Sequence, residues 1–181
     1  MKIAITGTPG TGKTSISKEI AEELNCDVVH VNELVKKKKL YSKIEKKEHI
    51  ADFRKLRKEL VKLMKATSII VESHLLSDLK LPADLVIVMR CNPEELEKRL
   101  DRRKYPKTKI NDNVLCEMLD YCLINAIENY GERKVMQIDA TKKVSAKTAM
   151  KKIVKFVKTG KSDSARWLHN LDSGLLLRLE S

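Results

Sequence analysis

Gly7-Thr8-Pro9-Gly10-Thr11-Gly12-Lys13-Thr14 is the most informative segment of the chain, because it matches G-x-x-x-x-G-K-[ST] at every fixed position. The apolar run Lys2–Thr6 ends directly before it, and apolar residues recur at helical spacing in Lys13–Leu24. A strand, a glycine-rich loop and a helix in direct succession are typical of a phosphate-binding P-loop. We therefore predict nucleotide binding at this loop, with the Lys13 ammonium at the β- and γ-phosphates and the Thr14 hydroxyl on Mg²⁺.

Four further apolar, β-branched runs follow along the chain, and each leads into a helical pattern or a loop. This alternation predicts an α/β fold, namely a P-loop NTPase with three α/β/α layers and a five-stranded parallel sheet. Two lysine-rich helical stretches, Glu33–Lys47 and His49–Ala66, are predicted as an insertion between the second and third strands. The four runs are Val28–Val31, Ser68–Val71, Leu85–Met89 and Val135–Ile138.

The length of 181 residues is typical of one domain, so we expect a single P-loop domain over 1–181. Lys and Arg exceed Asp and Glu by 37 to 25, and the net charge of +12 favours a polyanionic partner such as nucleic acid. The excess is concentrated in residues 36–65, which hold 13 Lys and Arg against 4 Asp and Glu. A solvated lysine surface explains the charge equally well. Because aromatic residues make up only 4%, an RNA contact is expected to be electrostatic.

No apolar run approaches the roughly 18 residues of a membrane span, and the first residues lack the order of a signal peptide. A soluble, cytoplasmic protein is therefore expected. The four cysteines form no close pair and no zinc-like spacing, which predicts reduced, structural thiols. Residues 160–164 have the composition of a linker. The leucine-rich segment that begins at Trp167 is predicted to be a short helix, packed on the body of the protein or on another chain.

The P-loop leaves the reaction open, and other segments narrow it. A GTPase needs a guanine-selecting N-K-x-D segment, which the chain lacks, and ring-forming ATPases need a much longer chain. The apolar strand in 68–74 ends in Glu72, where P-loop proteins place the carboxylate that holds Mg²⁺, usually through water. His74 is predicted to orient a water or contact the γ-phosphate, or else to be a hydrogen-bonded histidine at the sheet edge.

A basic segment follows the fourth predicted strand. Arg99 and Arg103 lie one turn apart on a helix predicted to begin at Pro93, and 102–109 is predicted to be a short basic loop. Guanidinium groups brought over the γ-phosphate would stabilise the charge that develops in phosphoryl transfer, so we predict a lid with Arg99 as a catalytic residue. The alternative is a solvated helix face.

The acceptor is predicted to be an anion. The chain offers many cations but no recognisable Ser/His/Asp or Cys/His nucleophilic set. A monophosphate is already ionised near neutral pH, so it needs positioning and charge neutralisation rather than a general base. The lysine-rich insertion lies where kinases for such acceptors place the acceptor-binding region.

Six segments, in this order, carry a resemblance to a known family. They are G-T-P-G-T-G-K-T-S, N-E-L to L-Y between Asn32 and Tyr41, I-I-V-E-S-H, E-K-R-L-D-R-R-K-Y, I-N-D-N-V-L-C-E from Ile110 to Glu117, and Gln137–Lys142. Over roughly residues 2–158 the chain resembles the adenylate kinase isoenzyme 6 subfamily. These proteins are small nucleoside monophosphate kinases that also act in maturation of the small ribosomal subunit.

The resemblance implies a monophosphate-binding segment near 30–53, a lid near 102–112, and triphosphate binding by the P-loop. Arg103 and Lys142 match positions that contact ATP in the family. The lid has no cysteine, which excludes the four-cysteine zinc site of some relatives. The P-loop residues concerned are Gly10, Gly12, Lys13, Thr14 and Ser15.

Two positions differ from the family's pattern. Glu72-Ser73-His74 stands where Asp-x-His is typical, so the carboxylate is one methylene further from the backbone. Lys36 stands where an arginine usually grips the monophosphate, and lysine supplies the charge without a bidentate fork. Monophosphate binding is accordingly assigned to Lys36.

The activity that the resemblance implies is reversible phosphoryl transfer from ATP, with Mg²⁺, to AMP or another nucleoside monophosphate, together with ATPase activity. Transient partners would be pre-ribosomal RNA and a small-subunit ribosomal protein of the uS-eleven class. The residues alone leave two alternatives open. One is an assembly factor switched by ATP, and the other is a P-loop kinase for an unrelated small acceptor such as shikimate, without a ribosomal role.

Overall fold

The computed structural model of the protein describes residues 1–45, 48–66, 68–165 and 167. The strands are β1 Lys2–Thr6, β2 Asp27–His30, β3 Tyr41–Glu45, β4 Glu48–Ala51, β5 Ile69–Glu72, β6 Leu85–Arg90 and β7 Val135–Asp139. The α-helices are α1 Lys13–Leu24, α2 Val31–Lys37, α3 Phe53–Ala66, α4 Pro93–Arg102, α5 Lys107–Met118, α6 Tyr121–Tyr130 and α7 Ala146–Thr159. Short 3-10 turns cover His74–Asp78 and Glu132–Lys134.

Five of these strands form a parallel sheet in the order β2-β5-β1-β6-β7. The central strand β1 pairs with β5 on one side and with β6 on the other. Parallel strands covered by helices on both faces are buried along their whole length, and β6 is buried at every position. The predicted P-loop NTPase fold with a five-stranded parallel sheet is confirmed, and the predicted strand ends differ by one residue.

Helices cover both faces of the sheet. Helices α1 and α7 pack on one face, where Ile16 and Ile153 belong to the same buried cluster. Helices α2, α3 and α6 pack on the other, and α3 buries Leu56, Leu60 and Met64 at a spacing of four residues. This arrangement leaves the carboxyl ends of the strands open for a ligand.

The insertion between β2 and β5 differs from the prediction. Residues 33–47 are predicted to be helical, but α2 ends at Lys37 and the chain then forms the antiparallel hairpin β3–β4. Lys39 adopts a positive φ of 51°, which stops the helix. The rings of Tyr41 and His49 meet edge to face at 4.6 Å between centroids, and such aromatic pairs stabilise a hairpin. The second helix of the insertion therefore begins at Phe53 rather than at His49.

The predicted lid region is more helical than expected. Helix α4 begins at Pro93 as predicted, capped by the Asn92 side chain, which accepts hydrogen bonds from the N–H groups of Glu94 and Glu95. The basic loop is confined to residues 103–106, because α5 already begins at Lys107. A separate apolar cluster joins α4 to α5 through Leu96, Leu100, Ile110, Val114 and Met118.

The chain beyond α7 runs without helix or strand over 161–165, in agreement with its linker composition. The predicted leucine-rich helix lies, apart from Trp167, outside the described residues. In the part of the chain that the structure describes, no helix has the length and apolarity needed to cross a membrane. The four cysteines carry free thiols.

Candidate active site

The P-loop connects β1 to α1 and needs a glycine at its first position. Gly7 has a φ of +130°, and a β-carbon placed there would lie 2.3 Å from the carbonyl oxygen of Met89 on β6. A side chain at this position would therefore push the loop off the sheet. The close approach sets the loop at the carboxyl end of the sheet, directly before the N-terminus of α1, where the helix dipole attracts anions.

Lys13 lies within the loop. It is 9% exposed, and its Nζ donates to the carbonyl oxygens of Gly7 at 2.8 Å and Thr8 at 3.0 Å. Burial lowers the pKa of the Lys13 ammonium from 10.5 to about 8, although nearby acidic groups such as Glu72 oppose the shift. Its hydrogen-bond acceptors among the described residues are these two carbonyl oxygens, which it can exchange for a phosphate.

Thr14 and Glu72, the residues predicted to hold Mg²⁺, lie side by side. The Thr14 hydroxyl donates to Glu72 Oε1 at 3.2 Å, and Glu72 ends β5 with only 8% of its surface exposed. His30 stands opposite Glu72 in the register of β2 and β5, and its Nδ1 lies 2.8 Å from the same carboxylate oxygen. Nothing in the local sequence marks His30, because the contact arises only when two strands 42 residues apart pair.

A hydroxyl and a carboxylate are oxygen ligands of the kind that Mg²⁺ prefers. Mg²⁺ keeps several waters and is usually completed by substrate phosphates, so two protein groups beside a P-loop fit it. Within the described ranges, no group of three or more His, Cys, Asp and Glu side chains could hold a metal ion by itself. Thr14 and Glu72 therefore fit a Mg²⁺ ion whose coordination is completed by nucleotide phosphates.

His74 begins the 3-10 turn after β5 and lines the cleft above the P-loop. Burial and, to a lesser extent, the positive charge of Lys13 lower the pKa of the His74 imidazole from 6.5 to about 4. The imidazole is therefore neutral near pH 7 and acts as a hydrogen-bonding group rather than as a cation. This placement supports the predicted position near the γ-phosphate, and the atom that His74 contacts stays a prediction.

Three cavities adjoin along the carboxyl end of the sheet and form one cleft. The central cavity, of about 300 Å³, surrounds Lys13. A smaller cavity of about 230 Å³ lies beside α4 and shares Arg103 and two P-loop glycines with the central one. The largest, of about 650 Å³, lies between the hairpin, α2 and α5 and shares Asn32, His74 and Tyr105 with the central one. We call it the acceptor cavity.

The predicted nucleotide-binding residues converge on this cleft with one exception. Lys142 is exposed and lines none of the three cavities, whereas its neighbour Lys143 lines the smallest. The chain bends at Thr141 and Lys142, directly before Lys143. The smallest cavity is lined by Gly10, Gly12, Ser15, Arg99 and Arg103 among others.

Arg99 lines the smallest cavity and makes hydrogen bonds within the protein, and its catalytic role stays a prediction. Its guanidinium donates to Glu95 Oε1 at 3.0 Å and to the carbonyl oxygens of Ala140 at 3.0 Å and Thr141 at 2.7 Å. These bonds connect α4 to the loop after β7, so Arg99 fixes the position of two segments that line the smallest cavity. Arg103, by contrast, also lines the central cavity. The geometry therefore favours Arg103 over Arg99 as the cation at the reacting phosphates.

The acceptor cavity combines a cation with apolar walls. Lys36 and Asn32 line it from the side of α2, and Ile50, Phe53 and Tyr105 contribute apolar and aromatic surface. The Nδ1 atom of another lining residue, His49, is buried and has no hydrogen-bond partner among the residues described. A cavity of this composition fits a planar heteroaromatic group attached to an anion.

A buried ionic network lies beneath the P-loop. Arg90, at the end of β6, and Glu117, on α5, are each 1% exposed, and Arg90 Nε donates to Glu117 Oε1 at 2.8 Å. The hydroxyl of Thr8 in the P-loop donates to Glu117 Oε2 at 2.6 Å. The one signal in the sequence is a charged residue that ends the otherwise apolar run of β6, since a buried arginine requires a carboxylate partner.

Comparison with known proteins places the chain in a family. A family model described as an AAA domain matches residues 3–120. A Methanosarcina acetivorans protein named "Putative adenylate kinase" is 36% identical over 174 residues, which cover 90% of this chain and 91% of that protein. A Methanocaldococcus jannaschii protein of the same name is 43% identical over 146 residues, which cover 78% of this chain and 77% of that protein. The chain belongs to this family of adenylate kinase type.

Solved structures agree on the fold. Shikimate kinase from Bacteroides thetaiotaomicron superposes with a TM-score of 0.58 and 15% identity, covering 87% of this chain and 98% of that one. At that identity the likeness shows the shared fold alone. The match to the family model includes the P-loop, Glu72 and the acceptor cavity, whereas Lys142 and the C-terminal tail, about residues 160–181, lie beyond it.

Proposed function

We propose that the protein is a nucleoside monophosphate kinase that transfers the terminal phosphoryl group of ATP to AMP or another nucleoside monophosphate. The observation that carries the proposal is the continuity of the cleft, since the acceptor cavity opens into the P-loop cavity at His74 and Tyr105. ATP on the P-loop and a monophosphate at Lys36 would face each other across Lys13. The names of the two archaeal relatives support the same reaction.

The reaction in this cleft depends on positioning and charge neutralisation. An ionised oxygen of the acceptor phosphate attacks the γ-phosphorus of ATP, the bond between that phosphorus and the β–γ bridging oxygen breaks, and ADP leaves with the electron pair. Lys13 and Arg103 stabilise the charge on the transferred group, and the P-loop backbone holds the β-phosphate. Mg²⁺, held by Thr14 and Glu72 with the phosphates, would neutralise further charge on the phosphate oxygens.

A panel of acceptors tests the proposal. The full chain is incubated with ATP, Mg²⁺ and either AMP, GMP, CMP, UMP, shikimate or no acceptor, and the nucleotides are separated by anion exchange. We expect a nucleoside diphosphate to form from at least one monophosphate in step with ADP. The proposal fails if ADP forms at the same rate without an acceptor, which would indicate an ATPase, or if shikimate alone is phosphorylated.

Replacing Lys36 with alanine is expected to raise the KM for the monophosphate about 10- to 100-fold, because a charge-assisted bond to the acceptor phosphate is lost. The KM for ATP should stay unchanged, since Lys36 lines the acceptor cavity and neither of the two cavities around the P-loop. Lys37→Ala is the matched control, because Lys37 is the next exposed lysine of α2 and lies outside the cavity lining. Equal kinetics of the two variants would remove Lys36 from the acceptor site.

A second candidate function is binding to RNA, and the charge of α3 favours it. This helix buries Leu56, Leu60 and Met64, and it exposes six cations. These are Arg54, Lys55, Arg57, Lys58, Lys62 and Lys65. Binding to a labelled small-subunit rRNA fragment should weaken steeply as salt is added if this face contacts phosphates. Binding that does not respond to salt would count against it.

The subfamily and the cellular role of the protein are narrower proposals. We propose membership of the isoenzyme 6 subfamily, on the six ordered segments quoted above. The ATPase activity, the role in small-subunit maturation, the ribosomal protein of the uS-eleven class and the cytoplasmic location stay predictions. Affinity purification of the wild-type protein, with and without ATP, tests the ribosomal partners directly.

A further inference from the structure

The carboxylate of Glu117 joins three parts of the protein at one point. Its Oε2 accepts the Thr8 hydroxyl of the P-loop at 2.6 Å. Its Oε1 accepts Arg90 Nε at 2.8 Å, the Cys91 N–H at 3.1 Å and the indole N–H of Trp167 at 3.1 Å. The carboxylate is 1% exposed, so these four donors compensate its desolvation, and the loss of one donor changes the balance among the others.

Thr8 connects the Glu117 carboxylate to the nucleotide site. While its hydroxyl is held by Glu117, its carbonyl oxygen accepts Lys13 Nζ at 3.0 Å and the Thr11 hydroxyl at 2.9 Å. The residue that anchors the P-loop to Glu117 is thus also a residue that holds the phosphate-binding lysine. When Lys13 turns from the Thr8 carbonyl to a phosphate, the bonds around Thr8 must readjust.

The C-terminal tail reaches the same carboxylate from the opposite side. After α7 ends at Thr159, the Asp163 carboxylate accepts the N–H of Asp139 at 3.0 Å and is paired with Lys152. Trp167 then places its ring 5.9 Å from the guanidinium carbon of Arg90, besides donating to Glu117. The tail therefore crosses the outer side of β7 and ends its described course on the network that holds the P-loop.

We propose that Glu117 is a positioning residue that couples the C-terminal tail, through Trp167, to the nucleotide state of the P-loop. Coupling of this kind is reciprocal. If ATP binding changes the equilibrium constant for docking of Trp167 by some factor, docking of Trp167 changes the affinity for ATP by the same factor. The proposal rests on nucleotide binding at the P-loop, which is part of the proposed function. It gives the tail, which lies beyond the matched family region, a regulatory role.

Trp167 is the single tryptophan of the chain, so tryptophan emission of the full-length protein reports on the surroundings of this one side chain. ATP is titrated while tryptophan emission is recorded, and the dissociation constant is measured independently by calorimetry. We expect the tryptophan emission to change as ATP is added, and the dissociation constant obtained from this change should equal the one measured by calorimetry. Trp167→Phe removes the indole N–H, keeps a ring beside Arg90, and should weaken ATP binding about fivefold or more.

A double-mutant cycle with Thr8 separates coupling from a general effect on folding. In a Thr8→Val background the link to Glu117 is absent, so adding Trp167→Phe should change the affinity for ATP less than about twofold. Thr8→Ser keeps the hydroxyl and should retain both the fluorescence response and the effect of Trp167→Phe. Circular dichroism checks that each variant is folded.

Two outcomes would overturn the inference. The first is that the wild-type protein binds ATP in calorimetry without a change in Trp167 emission, while Trp167→Phe has the same dissociation constant for ATP as the wild type. The other is the same loss of affinity on adding Trp167→Phe in the Thr8→Val and Thr8→Ser backgrounds. If the wild-type protein shows no ATP binding in calorimetry, the proposed function fails, and the inference fails with it.

Discussion

Lys13→Ala is expected to lower kcat for phosphoryl transfer by about 100- to 1000-fold, because one preorganised cation at the reacting phosphates is removed. In the structure the ammonium is held by two loop carbonyls, so it needs only a short movement to reach a phosphate. Burial already disfavours its charge, as the lowered pKa of Lys13 shows, and its removal is not expected to unfold the protein. Initial rates with ATP and the preferred monophosphate provide the measurement.

Lys18→Ala is the control for Lys13→Ala, since Lys18 is an exposed lysine further along α1 and lines no part of the cleft. Its kinetics should equal those of the wild type. Thermal unfolding of both variants distinguishes a loss of chemistry from a loss of structure. The assignment of the active site would be wrong if Lys13→Ala retained more than about a tenth of the wild-type kcat.

Arg90→Met is expected to destabilise the folded protein by about 3–5 kcal/mol, because it leaves the Glu117 carboxylate buried without its charge partner. Arg90 also donates to the Gln137 side chain at 3.1 Å and to the Glu117 carbonyl at 3.2 Å, and it pairs with Asp120. All of these acceptors lose a donor in the variant. The midpoint and slope of urea unfolding give the change in the free energy of unfolding.

The double variant Arg90→Met, Glu117→Leu separates the cost of an unpaired charge from the value of the pair. It should be more stable than Arg90→Met alone, since no carboxylate is left buried without its charge partner, even though Thr8, Cys91 and Trp167 lose an acceptor. Arg54→Ala, at an exposed position of α3, should change the free energy of unfolding by no more than about 0.5 kcal/mol. A loss in Arg90→Met as small as that in Arg54→Ala would contradict the expectation.

The parallel sheet and its P-loop could be predicted because the signals are local. Each strand is a short apolar run, and the loop motif places Lys13 and Thr14 by spacing alone. Glu72 could be predicted for the same reason, since it ends an apolar strand, whereas Lys36 was assigned through the resemblance to a known family. The structure of the insertion was harder to predict, because lysine has good helix propensity. The hairpin is stabilised instead by a contact between the rings of Tyr41 and His49 on its two strands.

The rest of the site depends on contacts between distant segments. His30 meets Glu72 only when β2 and β5 pair, and Glu117 meets Thr8 across 109 residues of sequence. Arg99 illustrates the converse, because its spacing from Arg103 predicts a role in the lid while its guanidinium is bonded to the loop after β7. Local patterns place a charged side chain on a face, but they do not choose its partner.

The contact between Asp163 and β7 has a consequence for self-association. β7 is an edge strand of the parallel sheet, and the inward side of its end is occupied by the bond from the Ala140 N–H to the Arg90 carbonyl. The N–H of Asp139 points outward, where another molecule could add a strand, and the Asp163 carboxylate occupies it. The tail thus occupies one outward-facing N–H group of this edge, so that group is not free to pair with a strand of another molecule.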